Sequence, residues 1–152
     1  MTTERLKASG YLKEGFKTDV KVREFSYTFD EPKNIGGTNE GMHGAEVLLA
    51  ALAACMSATI KFFSKKFDVQ LDELWVKTEG DYDLRGAMGV DGFRPGYSEI
   101  QYKLHIVSPS HQANIDRLIA YAKLHCPVAD TIGNSAKVIL DQIVVNGQKI
   151  GS

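Results

Sequence analysis

The middle of the chain reads Glu46-Val-Leu-Leu-Ala-Ala-Leu-Ala-Ala-Cys55, and this stretch decides how the flanking segments are interpreted. Apolar residues continue at steps of three and four as far as Phe63, which predicts one helix over 45–66. Alanine fills most of the intervening positions, so nearly every face of this helix is apolar. We therefore expect the helix to lie in the centre of the fold.

The flanking segments predict strands and two further helices. Partial alternation with β-branched and aromatic residues predicts strands over 8–12, 17–22, 24–30, 68–82, 98–107 and 136–146. Glycine-rich loops are expected over 34–44 and 84–96, and a turn at Asn146-Gly147. Helices are expected over 110–125, with Ser108 or Ser110 as the cap, and from Pro127 to about Gly133. This order predicts the α+β class, as one domain over residues 1–152.

The composition excludes several classes of partner. A chain of 152 residues that is 43% hydrophobic fits one domain with a sizeable core. The net charge is -1 and the lysines and arginines are scattered, so no nucleic acid is expected. The longest apolar run, 47–60, is shorter than the roughly 20 residues that span a bilayer, so no membrane is expected. The residues after Met1 lack the pattern of a signal peptide, which predicts a cytoplasmic protein.

Cys55 and Cys126 are the two cysteines, and three interpretations are open: inert buried thiols, a transient redox pair, or half of a metal site. Cys55 lies beyond the first turn of its helix among apolar neighbours, so burial is expected to raise its pKa unless a cation is near. Cys126 precedes Pro127 at a predicted helix start, where it either gains acidity from backbone N–H groups or merely caps the helix. Neither Cys-x-x-Cys nor His-Glu-x-x-His occurs, so we expect no metal and no cofactor.

Several short motifs follow one another along the chain. They are Asp30-Glu-Pro, Gly36-Gly-Thr, the stretch ending at Cys55, Asp83-Leu-Arg-Gly86, Arg94-Pro-Gly-Tyr-Ser-Glu-Ile100 and His125-Cys-Pro-Val-Ala-Asp-Thr-Ile132. Together they resemble the OsmC/Ohr superfamily over nearly the whole chain. The resemblance implies the OsmC-like fold, in which antiparallel sheets wrap around long central helices in an intertwined homodimer.

The resemblance also implies an activity, a thiol-dependent peroxidase that reduces organic hydroperoxides to alcohols. Cys55 would be the attacking thiolate and Cys126 the resolving thiol, with an external dithiol, a lipoyl or thioredoxin-like protein, as reductant. An arginine and a glutamate activate the thiolate in the peroxidases of this family. Arg23 is our first choice for the arginine and Arg85 the second. The glutamate would fall at Ala45, so Glu46 is the candidate in its place.

Two other functions stay open at this point. One is a non-enzymatic stress-related protein that binds a small hydrophobic ligand at the dimer interface. The other is a thiol-disulfide or sulfur-transfer protein that uses the same cysteines on another substrate. The binding function predicts that both cysteines are dispensable, whereas the two redox functions require them.

Overall fold

The computed structural model describes residues 2–151, which form seven strands and four helices. The strands are β1 (Ser9–Leu12), β2 (Thr18–Val22), β3 (Phe25–Phe29), β4 (Glu73–Tyr82), β5 (Tyr97–Val107), β6 (Ile143–Val145) and β7 (Gln148–Gly151). The helices are α1 (Gly44–Phe63), α2 (Leu84–Ala87), α3 (Gln112–His125) and α4 (Pro127–Gly133). The predicted α+β class with antiparallel sheets is confirmed.

The long helix α1 is favoured by its alanines and fixed at its start by a reciprocal cap. The Nδ1 atom of His43 accepts a hydrogen bond from the Ala45 N–H (3.0 Å), and Glu46 Oε2 accepts one from the His43 N–H (2.9 Å). After α1 the chain tightens into a 3₁₀ turn over Ser64–Phe67, and Asp68 ends it in the left-handed conformation (φ 54°). The predicted helix over 45–66 therefore corresponds to α1 and this turn.

One helical segment, 44–67, is long and apolar enough to cross a membrane, with a hydropathy of 1.8. This segment is longer than the apolar run 47–60 because the helix continues through lysines that interrupt the apolar sequence. Length and composition alone are weak evidence for a membrane-spanning helix, since the core helix of a folded domain passes the same test. Leu52, Met56 and Ile60 are buried on the side of α1 that packs against α3 and β4.

The antiparallel pair β4–β5 forms the wall against which α1 packs. Its register runs from Glu73 opposite Val107 to Tyr82 opposite Tyr97. The inward side chains of this pair join the core around Met56 and Leu118. The Thr78 hydroxyl also donates to the Leu49 carbonyl (3.0 Å), which fixes α1 over the sheet.

The sheet β1–β2–β3 leaves most of its apolar side chains uncovered. Its strands pair antiparallel, and within residues 2–151 its main contacts are internal. Tyr11, Leu12 and Tyr27 are 68%, 64% and 54% exposed. The register places Leu12 and Tyr27 on one face of the sheet, and exposed apolar side chains grouped on one face are typical of a surface that meets another chain.

The structure corrects two strand predictions. The strand predicted over 68–82 begins at Glu73, because Gln70 pairs with side chains instead of with β5: its N–H donates to Ser110 Oγ (2.9 Å), and its carbonyl accepts the Ser108 hydroxyl (2.6 Å). The strand predicted over 136–146 is reduced to Ile143–Val145. Its first residues meet no partner strand among those described, and Val138 is 99% exposed.

Two local predictions also change. The loop predicted over 84–96 contains α2, because the Asp83 carboxylate accepts the Arg85 N–H (2.9 Å) and starts a helical turn. The expected cap of α3 by Ser108 or Ser110 is wrong. His111 occupies the cap position without a side-chain bond, and both serines bind Gln70 instead. The turn at Asn146-Gly147 is confirmed, with φ of 51° and 78°.

Candidate functional site

The fold brings Cys55 and Cys126 together although they lie far apart in sequence. Cys55 is half-buried on α1 and packs against the buried cluster that contains Met56, Leu118 and Cys126. Cys126 is fully buried at the junction of α3 and α4. The two thiols are free and lie within hydrogen-bond contact of each other. Two thiols in contact are the arrangement that a reversible disulfide requires.

Cys126 occupies the N-cap of α4, as its place before Pro127 predicts. Its own side chain makes no capping hydrogen bond. The backbone N–H of Val128, at the second position of α4, instead donates to the sulfur of Cys55. The donor that sequence reasoning assigned to Cys126 therefore serves the other cysteine.

Burial raises the pKa of the Cys55 thiol above its ordinary value. The Val128 N–H acts in the opposite direction, the neighbouring Cys126 raises the pKa further, and the Thr59 hydroxyl lowers it. The same hydroxyl donates a hydrogen bond to the Cys55 carbonyl oxygen (2.8 Å). The net rise agrees with the apolar surroundings read from the sequence, and it means that Cys55 needs a further positive group to ionise near neutral pH.

Neither arginine proposed from the sequence supplies that charge within one chain. Arg23 lies exposed in the two-residue turn between β2 and β3, with its guanidinium 5.0 Å from the centre of the Phe25 ring. Arg85 makes two hydrogen bonds to Asp83 (2.9 and 2.6 Å) and stacks on Phe93. Neither guanidinium is among the groups that shift the pKa of Cys55.

Glu46 serves the start of α1 rather than Cys55 of the same chain. It is exposed, and its Oε2 atom accepts the His43 N–H. Nine residues of helix separate it from Cys55, which is about 13 Å along the axis and half a turn around it. A contact between this carboxylate and a thiol would therefore have to come from a second copy of the chain.

The loop that leads into α1 is organised by Asp30, which is only 3% exposed. Its carboxylate accepts the Thr38 hydroxyl (2.6 Å) and the backbone N–H groups of Thr38, Glu31 and Glu40. The Thr38 hydrogen bond is the largest cause that lowers the pKa of Asp30 to about 2. Sequence reasoning missed this role, although Asp30 stood in a quoted motif.

A cavity of about 870 Å³ opens at the N-terminal end of α1. Its lining includes His43 and Leu48, the segment Arg94–Ile100 and Ile132 of α4. Leu48 lies seven residues before Cys55, on nearly the same side of α1 and about 10 Å along it. Neither cysteine lines the cavity. The sequence signal for it was the motif Arg94–Ile100, to which no role was assigned.

No group of three or more potential metal ligands occurs among residues 2–151. His125, beside Cys126, is turned towards its own helix: its Nδ1 lies 2.8 Å from the Tyr121 carbonyl oxygen, and its ring stacks on Tyr121. The interpretation of the two cysteines as half of a metal site therefore gains no further ligand from the neighbouring His125.

Comparison with known proteins gives one family. The family profile described as OsmC-like protein matches residues 37–141. No curated protein matches the chain.

Solved structures show the same fold. An OsmC-like protein from Mycoplasma pneumoniae is 24% identical, with a TM-score of 0.76 over 88% of this chain and 91% of that one. An organic hydroperoxide resistance protein, OsmC, from Legionella pneumophila is 17% identical, with a TM-score of 0.63 over 87% and 91%. An OsmC-like protein of unknown function from Vibrio cholerae is 9% identical, with a TM-score of 0.70 over 85% and 94%.

Proposed function

Because the chain belongs to the family of OsmC-like proteins, we propose that it is a thiol-dependent peroxidase that reduces organic hydroperoxides through Cys55 and Cys126. The observation that carries the proposal is the contact between the two thiols across the junction of α1 and α4. An inert core cysteine needs no second thiol beside it, whereas a resolving step does.

The reaction has three steps. The Cys55 thiolate attacks the O–O bond of the hydroperoxide, forms a sulfenic acid, and releases an alkoxide that takes a proton to become the alcohol. The Cys126 thiol then condenses with the sulfenic acid, which forms a disulfide and one water. An external dithiol, from a lipoyl or thioredoxin-like protein, finally reduces the disulfide and becomes oxidised itself.

Accessibility decides which sulfur the reductant attacks. Cys126 is fully buried, and Cys55 is half-buried. An incoming thiolate would therefore attack the Cys55 sulfur and displace Cys126 as the leaving thiolate.

Activation of Cys55 and cover for the exposed apolar surface both favour a homodimer. Ala50, Ala54, Ala58 and Phe62 form an exposed row along α1 at four-residue steps, and Phe62 is 77% exposed. Small residues in such a row let two helices approach closely. A second copy on this row and on the sheet β1–β2–β3 would also offer routes for Arg23 and Glu46 to the other copy's thiol. We retain both as candidate catalytic residues in that assembly.

The proposal is tested by consumption of cumene hydroperoxide by the reduced protein, supplied with dihydrolipoamide. Cys55→Ser should abolish turnover, and Cys126→Ser should accumulate a sulfenic acid at Cys55 that a dimedone reagent traps. Intact wild type should gain one Cys55–Cys126 disulfide after peroxide. No turnover with any dithiol, and no such disulfide, would show that the chain is not a peroxidase.

A ligand-binding protein is the second candidate, and the cavity of about 870 Å³ favours it. The raised pKa of Cys55 points in the same direction, because a protonated thiol is a poor nucleophile. Binding that persists in a variant lacking both cysteines, in a protein that consumes no peroxide, would select this function.

A further inference from the structure

The cavity beside the N-terminus of α1 combines an apolar interior with one available cation. Much of its apolar lining comes from Leu48, Ala87, Pro95, Ile100, Ile132 and Val138. Arg94 lies on the same lining and is exposed. A cavity of this kind fits a ligand with an apolar body and a polar group near the rim.

The hydroxyl donors around the cavity are largely occupied. Tyr97 donates to the Ala45 carbonyl (2.9 Å), Ser98 to the Asp81 carbonyl (3.3 Å) and Thr131 to the Pro127 carbonyl (2.8 Å). Each of these bonds ties a wall of the cavity to the backbone. A ligand would therefore meet walls whose hydroxyls are already paired.

The other charged groups on the lining are less available than Arg94. His43 Nδ1 accepts the Ala45 N–H, and Nε2 lies 3.0 Å from a Glu31 carboxylate oxygen, so both ring nitrogens already have partners. Glu99 accepts a hydrogen bond from the Gln101 side chain. Among residues 2–151, no carboxylate lies within 4.0 Å of the Arg94 guanidinium.

We propose that Arg94 binds the carboxylate of an amphiphilic ligand whose apolar body occupies the cavity between α1 and α4. A guanidinium offers two parallel N–H donors to a carboxylate, and it retains its charge at any physiological pH. The exposed position of Arg94 keeps the charged pair at the rim, where it loses little hydration. Leu48 then directs the apolar body along the side of α1 that carries Cys55.

Charge complementarity favours this occupant over a second copy of the chain, since the lining offers an unpaired cation to a small anion. As a choice of substrate the inference rests on the proposed function, because only a peroxidase would act on a hydroperoxide of this shape. The binding itself needs no turnover.

The test is calorimetric titration of the reduced protein with decanoate and with decanol, which differ in the carboxylate alone. We expect wild type to bind decanoate more tightly than decanol. Arg94→Gln should weaken the affinity for decanoate about tenfold and change the affinity for decanol less than about twofold. Arg117→Gln is the matched control, because it removes the same charge from α3, away from the cavity. It should leave both affinities as they are.

Three results would overturn the inference. The first is equal binding of decanoate and decanol, and the second is an equal loss of both in Arg94→Gln. The third is no binding together with a change in self-association in Arg94→Gln, measured by sedimentation, which would assign the cavity to a second copy. A preference for decanoate without peroxide consumption would leave this inference standing while the proposed function fails. Peroxide consumption without a preference for decanoate would support the proposed function while this inference fails.

Discussion

The backbone N–H of Val128 donates a hydrogen bond to the sulfur of Cys55. This bond joins the start of α4 to the middle of α1, and it places Cys126, two residues earlier, against the same sulfur. The donor stabilises a thiolate at Cys55 without any charged side chain. Formation of a disulfide at Cys55 would change this acceptor and so weaken the bond between the start of α4 and the middle of α1.

Thr59 should tune the ionisation of Cys55. Its hydroxyl lowers the pKa of that thiol, so Thr59→Val should raise the pKa and reduce the thiolate fraction at any pH below it. The pH dependence of iodoacetamide alkylation, with the site resolved by mass spectrometry, measures the midpoint. Thr59→Ser retains the hydroxyl and is the control. An unchanged midpoint in Thr59→Val would mean that the hydroxyl serves the Cys55 carbonyl alone.

Acid should destabilise the fold through Asp30. Its pKa is lowered from 3.8 to about 2, so its hydrogen bonds stabilise the folded chain above pH 3.8. This contribution is lost as the pH falls through the range between these two values, because the carboxylate is protonated. Thermal unfolding from pH 2 to pH 6 should show the loss in wild type and a flatter profile in Asp30→Asn. Equal slopes in the two proteins would assign the acid sensitivity to other carboxylates.

Much of the fold followed from the sequence because its elements have strong local signals. The alanine-rich helix, the alternating strand over 98–107 and the Asn146-Gly147 turn all depend on neighbours close in sequence. The strand predicted over 136–146 was mostly wrong, because Val138 and its neighbours have strand propensity but no partner strand. Strand formation depends on that long-range pairing, which the segment itself does not encode.

The sequence proposed members of a site but could not give their geometry. The roles of Cys55 and Cys126 came from the family resemblance, and their contact confirms neither these roles nor those of Arg23 and Glu46, which stay predictions. Local reasoning gave the donors at the α4 start to Cys126, whereas the tertiary fold points one of them at Cys55. Gly41 shows the same limit: a Cβ there would lie 2.2 Å from the Thr28 carbonyl oxygen. The glycine-rich segment predicted an irregular loop, but the structure shows that this glycine is needed for close packing.

The core around the thiols should depend strongly on Leu118. This residue is fully buried on α3, whereas Leu124 on the same helix is 78% exposed. Leu118→Ala should lower the free energy of unfolding by about 2–5 kcal/mol, through lost burial and the cavity left behind. Leu124→Ala should cost less than about 0.5 kcal/mol. Urea unfolding of both variants measures the difference, and similar losses would contradict the packing described for α3.

Glu46 allows its capping and catalytic roles to be separated. Its carboxylate accepts the His43 N–H at the start of α1, so Glu46→Ala should cost about 1 kcal/mol of unfolding free energy. Glu46→Gln keeps an acceptor oxygen and should cost less. If wild type consumes peroxide, we expect Glu46→Gln to lose this turnover while its stability stays unchanged. That result would show that the charge of Glu46 contributes to catalysis. Unchanged turnover in Glu46→Gln would limit the residue to capping.

The exposed row on α1 should control self-association. Ala54 is at its centre, flanked by Ala50 and Ala58, and its small side chain allows a second helix to approach closely. Ala54→Glu inserts a charge that would be buried without a partner, so we expect a dimer to become a monomer in sedimentation velocity at micromolar concentration. Ala120→Glu adds the same charge at an exposed position of α3 and should leave the dimer intact. Arg23 and Glu46 do not reach Cys55 within one chain, so dilution of wild type to the monomer should raise the pKa of Cys55 if Arg23 acts across the interface. A monomeric wild type, or an Ala54→Glu variant that still dimerises, would require these two residues to act elsewhere.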